Sequence, residues 1–192
     1  MKILKITNGP LNQNCYVIEK DGKAIVIDPG IRTEKIIETI KKENVKPEFV
    51  LLTHGHFDHI YSAKALQDMG AKVYISEIDA PKLLSSELNM GFICGFNNVP
   101  ECLPDGFLKS GKMKFLDEEF EVVETPGHTS GSVCIFYGNT VFTGDTYFSE
   151  GVYGRTDLLD GNKEAEDKSI EKLLPLLKGK KILAGHEWWR NF

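Results

Sequence analysis

The chain has 192 residues, enough for one substantial buried core and short for two, so a single domain over residues 1–192 is expected. Hydrophobic residues make up 41% and charged residues 27%, which excludes a disordered chain. A formal charge of -5 without any Lys/Arg block argues against a nucleic-acid partner.

In chain order, the N-terminal stretch MKILKITNGPLNQNCYVI reads as strand, turn, strand, with strands over residues 1–7 and 15–19. It lacks the uninterrupted apolar core of a signal peptide, and no stretch approaches the ~20 apolar residues of a membrane span. A cytoplasmic protein with no membrane partner is therefore expected. A further strand follows at 24–27, then a helix over 33–43 with Ile36, Ile37 and Ile40 on one face. A strand at 48–52 runs into a helix over 59–69, and a strand at 72–75 follows. Residues 77–110 carry Pro81, Pro100 and Pro104 with weak periodicity, which predicts a loop-rich excursion holding one or two short helices. Strands are predicted at 120–124, 132–137, 140–142 and 181–183, with a helix over 163–177 in which Pro175 would force an early end. This order is neither a regular βαβ alternation nor a series of hairpins. It predicts an α/β (α+β) protein, a four-layer αββα sandwich of two mixed β-sheets flanked by helices.

Cys15, Cys94, Cys102 and Cys134 form no CxxC pair and are read as reduced structural thiols. The histidines are more informative. Five apolar strands end in a turn bearing an acidic or metal-competent residue: AIVID-PG at Asp28, FVLLT-HGHFDH, EVVETPG-H at His128, TVFTG-D at Asp145 and KILAG-H at His186. All 5 histidines lie in these turns. Residues at strand ends converge on one rim of a layered sheet, so the turns can aim into one cleft. His54 and His56 point to the same side on an extended loop and would diverge on a helix. Asp58 also fits a helix N-cap; a ligand role is preferred. His54, His56, Asp58, His59, His128, Asp145 and His186 make more donors than one zinc ion needs, so two ions are expected, with Asp145 as the bridging carboxylate.

Taken together, NCYVI, IDPG, THGHFDH, TPGHTSGS, FTGDTYF, GRTDL and the late AGH resemble the metallo-β-lactamase superfamily. Within it they are similar to the glyoxalase II-like hydroxyacylglutathione hydrolases and their short relatives. The resemblance spans nearly the whole chain. It implies the metallo-β-lactamase fold, with His54, His56 and His128 holding one ion, Asp58, His59 and His186 the second, and Asp145 between them. Asp28 would be an acid behind the ligands; Asp-Pro-Gly is equally a good turn on local grounds. The implied reaction is hydrolysis of a small-molecule thioester such as a hydroxyacyl-glutathione, by a hydroxide shared between two divalent ions. Zinc is the first expectation, and the same donors suit iron or manganese. Asp58 is the expected catalytic carboxylate, orienting the nucleophile or accepting its proton.

The sequence departs from the family pattern at Tyr61-Ser62, where small residues are usual, so Tyr61 either lines the pocket or lies on the surface. Arg155 is a candidate anchor for a substrate carboxylate, with a structural salt bridge as the alternative. After His186 the chain runs Glu187-Trp188-Trp189-Arg190-Asn191-Phe192 and stops, so the C-terminal helical extension that holds glutathione in full-length glyoxalase II enzymes is not expected. Trp188, Trp189 and Phe192 cover the pocket, form a subunit contact or dock on their own domain. Asp145 replaces the cysteine of the commonest zinc β-lactamases, which disfavours antibiotic hydrolysis. A persulfide dioxygenase with a single iron and a lactone hydrolase are the competing activities.

Overall fold

The computed structural model describes residues 2–8, 11–148 and 152–187. Among these, strands β1 (Lys2–Asn8), β2 (Gln13–Lys20) and β3 (Lys23–Ile27) form an antiparallel meander, joined through helix α1 (Thr33–Lys42) to β4 (Lys46–Leu51). β4 pairs parallel with β3, and β5 (Lys72–Ser76) and β6 (Gly106–Leu108) extend the sheet in the same direction. The second sheet has the order β11-β10-β9-β8-β7, from β7 (Gly111–Phe115), β8 (Glu118–Glu124), β9 (Val133–Tyr137), β10 (Thr140–Gly144) and β11 (Lys181–Ala184). It is antiparallel except where β11 joins β10.

Strand alternation assigns the layers. Tyr16, Ile18, Ile25, Ile27 and Leu51 face inward and meet Phe120, Val122, Ile135 and Phe142 of the other sheet. Their neighbours Cys15, Val17, Val26, Val50 and Leu52 face outward and are covered by Ile36 and Ile40 of α1 and by Leu66. On the far side, Cys134, Phe136 and Val141 are covered by Leu173 and Leu177 of helix α4 (Lys163–Leu177). The central strands read as continuous apolar runs because both of their faces are covered. The expected four-layer αββα sandwich is the observed fold.

Three details differ from the sequence expectation. The predicted helix over 59–69 is two pieces, α2 (Phe57–Ile60) and α3 (Ala63–Asp68). Ser62 breaks it: its N–H donates to Pro29 O at 2.9 Å, its hydroxyl donates to Gly30 O, and it shares a 2.8 Å hydrogen bond with Thr33 Oγ1. The turn after β3 thus takes the bond that would have continued the helical ladder. Pro175 does not stop α4, because it lies in the last turn and burial of Leu173 and Leu177 holds that turn in place. β6 and β7 were not predicted: β6 has three residues and begins with glycine, and GKMKF mixes two lysines among its apolar positions. The excursion carries one short 3₁₀ helix, Ala80–Leu84. Cys15, Cys94, Cys102 and Cys134 are all free thiols. No helix of the described residues is long and apolar enough to cross a membrane.

The topology decides where strand ends fall. β3, β4 and β5 are parallel, so residues 28, 53–56 and 77–79 leave the first sheet at one rim. β8 and β10 both run antiparallel to β9, and β11 runs parallel to β10. His128, Asp145 and His186 therefore leave the second sheet at one rim as well. The two rims meet: Val133 N donates to Thr53 O at 2.9 Å, and Asn14 N donates to Gly185 O at 2.6 Å.

Phe120 is fully buried between the sheets, edge-on to Phe115 and stacked on Tyr137 at 4.7 Å. Phe120→Ala is expected to lower the unfolding free energy by about 3–5 kcal/mol, from lost burial and the cavity left behind. The shift in the denaturant midpoint, at unchanged far-UV circular dichroism, measures it.

Candidate metal centre

Asp28 is buried and takes a left-handed backbone conformation, φ +49°, which aspartate tolerates better than most residues. This turn aims its carboxylate sideways at the next strand. Oδ1 accepts from Thr53 N–H at 2.8 Å, and Oδ2 accepts from Thr53 Oγ1 at 2.6 Å and from His59 Nδ1 at 3.1 Å. The local turn and the acid behind the histidines are one structure, so both readings of Asp28 hold together.

These bonds assign tautomers. Thr53 has one hydroxyl hydrogen and gives it to Asp28, so at the 3.1 Å contact between Thr53 Oγ1 and His54 Nδ1 the imidazole is the donor. His59 Nδ1 donates to Asp28. His128 Nδ1 donates to Arg155 O at 2.8 Å, and His186 Nδ1 donates to Leu11 O at 2.8 Å, since a carbonyl can only accept. Four rings are thereby fixed with their Nε2 atoms facing into the site. His56 is turned the other way, with Nδ1 2.9 Å from His128 Nε2.

The inward-facing atoms form two groups. Nitrogens of His54, His56 and His128 lie within 4.8 Å of one another, and so do donor atoms of Asp58, His59 and His186. In the second group Asp58 Oδ2 is 3.3 Å from His186 Nε2 and 3.6 Å from His59 Nε2. Asp58 lies inside α2 and not at its N-cap, which His56 occupies. Asp145 stands between the groups: Oδ2 is 3.2 Å from His186 Nε2 and 3.6 Å from His128 Nε2, and Oδ1 is 3.4 Å from His59 Nε2. A further grouping of Asp28, His54 and His59 fits less well, because both Asp28 oxygens already accept hydrogen bonds.

The donor set fits cations on direct grounds. His54 Nε2 and Asp145 Oδ1 are buried without a hydrogen-bond partner, a costly state for polar atoms unless a ligand satisfies them. Burial holds His54 well below the ordinary imidazole range and, with His128 nearby, lowers His56 to about 3, so both rings are neutral and able to ligate. Burial also works against charge on His59 and His186, but Asp145 and Asp58 outweigh it and raise them to about 9 and about 11. Asp145 is itself held well below the carboxylate range; burial opposes this, and His186 and His59 overcome it. The carboxylates demand positive charge at this point, and a bound cation meets that demand.

Above the donors opens a cleft of about 420 Å³, with Asp58, Asp145, His56, His128 and His186 in its floor. Leu11, Phe57, Met90, Val152, Tyr153 and Leu158 form apolar walls. Arg155 lines the cleft, and its guanidinium is paired with both oxygens of Asp157 at 2.7 and 2.6 Å. Its backbone carbonyl, which orients His128, was not foreseen. Tyr61 does not line the cleft: its helix turn carries it to the covered side, edge-on to Phe96 at 6.4 Å. Trp188, Trp189 and Phe192 lie outside the described residues. Sequence reasoning also missed Asp79, Lys82 and Glu166. Glu166, buried in α4, accepts from His128 N–H at 3.0 Å, and its acidity gives no signal among the other charges of that helix. Met90 and Cys94 line the cleft from the aperiodic excursion.

The model of the metallo-β-lactamase superfamily matches residues 8–186. The chain is 36% identical to hydroxyacylglutathione hydrolase GloC of Haemophilus influenzae, over 97% of this chain and 90% of that one. Among solved structures, BLEG-1, described as a B3 metallo-β-lactamase, superposes with TM-score 0.92 at 32% identity, covering 97% of this chain and 92% of that one. TTHA1623, solved in a di-iron-bound form, gives TM-score 0.86 at 32% identity, covering 96% and 92%. The chain belongs to the metallo-β-lactamase superfamily and is a metallo-hydrolase of that fold.

Proposed function

We propose that the protein hydrolyses thioesters, of which hydroxyacyl-glutathione is the representative, with two divalent metal ions. His54, His56 and His128 would hold the first, Asp58, His59 and His186 the second, and Asp145 would contact both. The placement of Asp145 carries this reading, since one carboxylate reaches rings of both groups at 3.2 to 3.6 Å. The similarity to GloC supports the thioester class. Zinc is our choice of ion, with the di-iron neighbour making iron its rival.

Two ions held by these residues would supply a water of lowered pKa and polarise the scissile carbonyl. The chain's own residues arrange what those cations act on. Asp58, in the cleft floor with its Oδ2 turned to His59 and His186, would take a proton from the attacking water. The Nδ1 bonds to Arg155 O, Leu11 O and Asp28 prevent ring rotation, which keeps the donor geometry preorganised. The apolar walls admit a small-molecule substrate and shed water around the reacting carbonyl.

Metal analysis of purified protein should give two ions per chain, and a panel of thioesters should be cleaved in preference to lactones, β-lactams and phosphodiesters. The likeness to BLEG-1 puts β-lactams on that panel. Preferential turnover of another class refutes the thioester assignment, while one iron per chain with sulfite formed from a persulfide in oxygen makes the protein a dioxygenase. Asp145→Ala is expected to lose at least one ion and about 100-fold or more of turnover. Full metal content and activity in that variant contradict the shared position of Asp145.

A further inference from the structure

A second buried polar cluster lies behind the three-histidine group, and the proposed chemistry does not use it. Asp79, 0% exposed, follows β5 at the start of the excursion. Its Oδ2 accepts from Gly55 N–H and from Thr129 Oγ1, each at 2.8 Å. Its Oδ1 accepts from Gly131 N–H at 3.1 Å and from Lys82 Nζ at 2.5 Å. A carboxylate has about four lone-pair positions, so this one is saturated.

The partners are placed informatively. Gly55 sits between His54 and His56, and Thr129 directly follows His128. Lys82 is itself buried, with its stem packed so closely under Gly55 that a Cβ there would lie 2.6 Å from Lys82 Cβ. Its ammonium also pairs with Asp160 Oδ2 at 2.8 Å, which accepts from Ser130 N–H at 2.9 Å and Ser130 Oγ at 2.7 Å. The loop of His54 and His56 leaves one sheet and the loop of His128 leaves the other, so no β-ladder sets their separation.

We propose that Asp79 is a positioning residue for the three-histidine site, one carboxylate fixing the distance between the two loops that supply its ligands. The proposal rests on the reading that His54, His56 and His128 hold a cation. Asparagine matches the size of Asp79 but accepts at one atom only, so two of the four donors would face an amide NH₂. The effect is directed at one ion site, because among the described residues the Asp79 carboxylate bonds only to Gly55, Lys82, Thr129 and Gly131.

Cobalt(II) titration of the full chain, followed by absorbance and by bound metal per chain, tests it with Asp79→Asn, Thr129→Val and His54→Ala. Asp79→Asn is expected to weaken one of two cobalt sites about 10- to 100-fold, leave the other unchanged, and lower kcat at constant KM. Thr129→Val, which removes one of the four donors, should give a smaller loss at the same site. Two sites of wild-type affinity in Asp79→Asn overturn the proposal, as does an equal loss at both sites with a lowered melting temperature, which marks a merely structural carboxylate. If Asp79→Asn yields no folded protein, Thr129→Val decides, and wild-type affinity there overturns it. His54→Ala separates the two layers of inference: unchanged cobalt uptake removes the ligand reading itself, whereas loss of one site there but not in Asp79→Asn removes only the role of Asp79.

Discussion

Three carboxylates, Asp28, Asp58 and Asp145, are withdrawn from water at one rim of the double sheet, and the rest of the site is arranged around compensating them. Removing an ionised carboxylate from solvent costs several kcal/mol unless its oxygens are hydrogen-bonded and its charge is met. Asp28 meets this with Thr53 and His59. Asp58 and Asp145 meet it with imidazoles whose outer nitrogens are bonded away and whose inner nitrogens face the acids. The same arrangement that stabilises the acids suits a cation, because fixed rings and carboxylate oxygens converge at the floor of the cleft.

The fold supplies this convergence cheaply in backbone terms. Donors come from the ends of strands in two different sheets, so each donor sits on a rigid element and only short turns intervene. Glycine is required where those turns crowd. Gly144 has φ +49°, and a Cβ there would strike the Thr53 hydroxyl; a Cβ at Gly185 would strike Asp145 Oδ1. Ser62 makes its own contribution by breaking the helix after His59, which binds the helix start to the turn of Asp28. The buried Asp79–Lys82 pair then ties the two histidine loops across the sandwich.

The residues that carry the centre were legible because their signal is local and chemical. Every histidine of the chain lies just beyond an apolar strand run, and the spacing of HGHFDH has few other uses. Substrate contacts were not legible in the same way. Tyr61 was left between lining the pocket and lying on the surface, and the helical turn after His59 sends its ring to Phe96. Arg155 was weighed for its charge, while its backbone carbonyl holds His128 and its guanidinium is engaged by Asp157. A backbone atom leaves no mark on composition or spacing.

Residue pattern alone carried the layered αββα architecture and the set of candidate donors. Alternating and continuous apolar runs specify which strands are covered on both faces, and metal-competent residue types are rare enough to be counted. Which ring nitrogen faces inward, that Asp28 serves as both turn and acid, and that Asp79 joins two loops from different sheets emerge from the packing. Those are long-range pairings, between residues 28 and 59, 79 and 129, or 128 and 155, and their partners are chosen by how the two sheets pack rather than by any local preference of the chain.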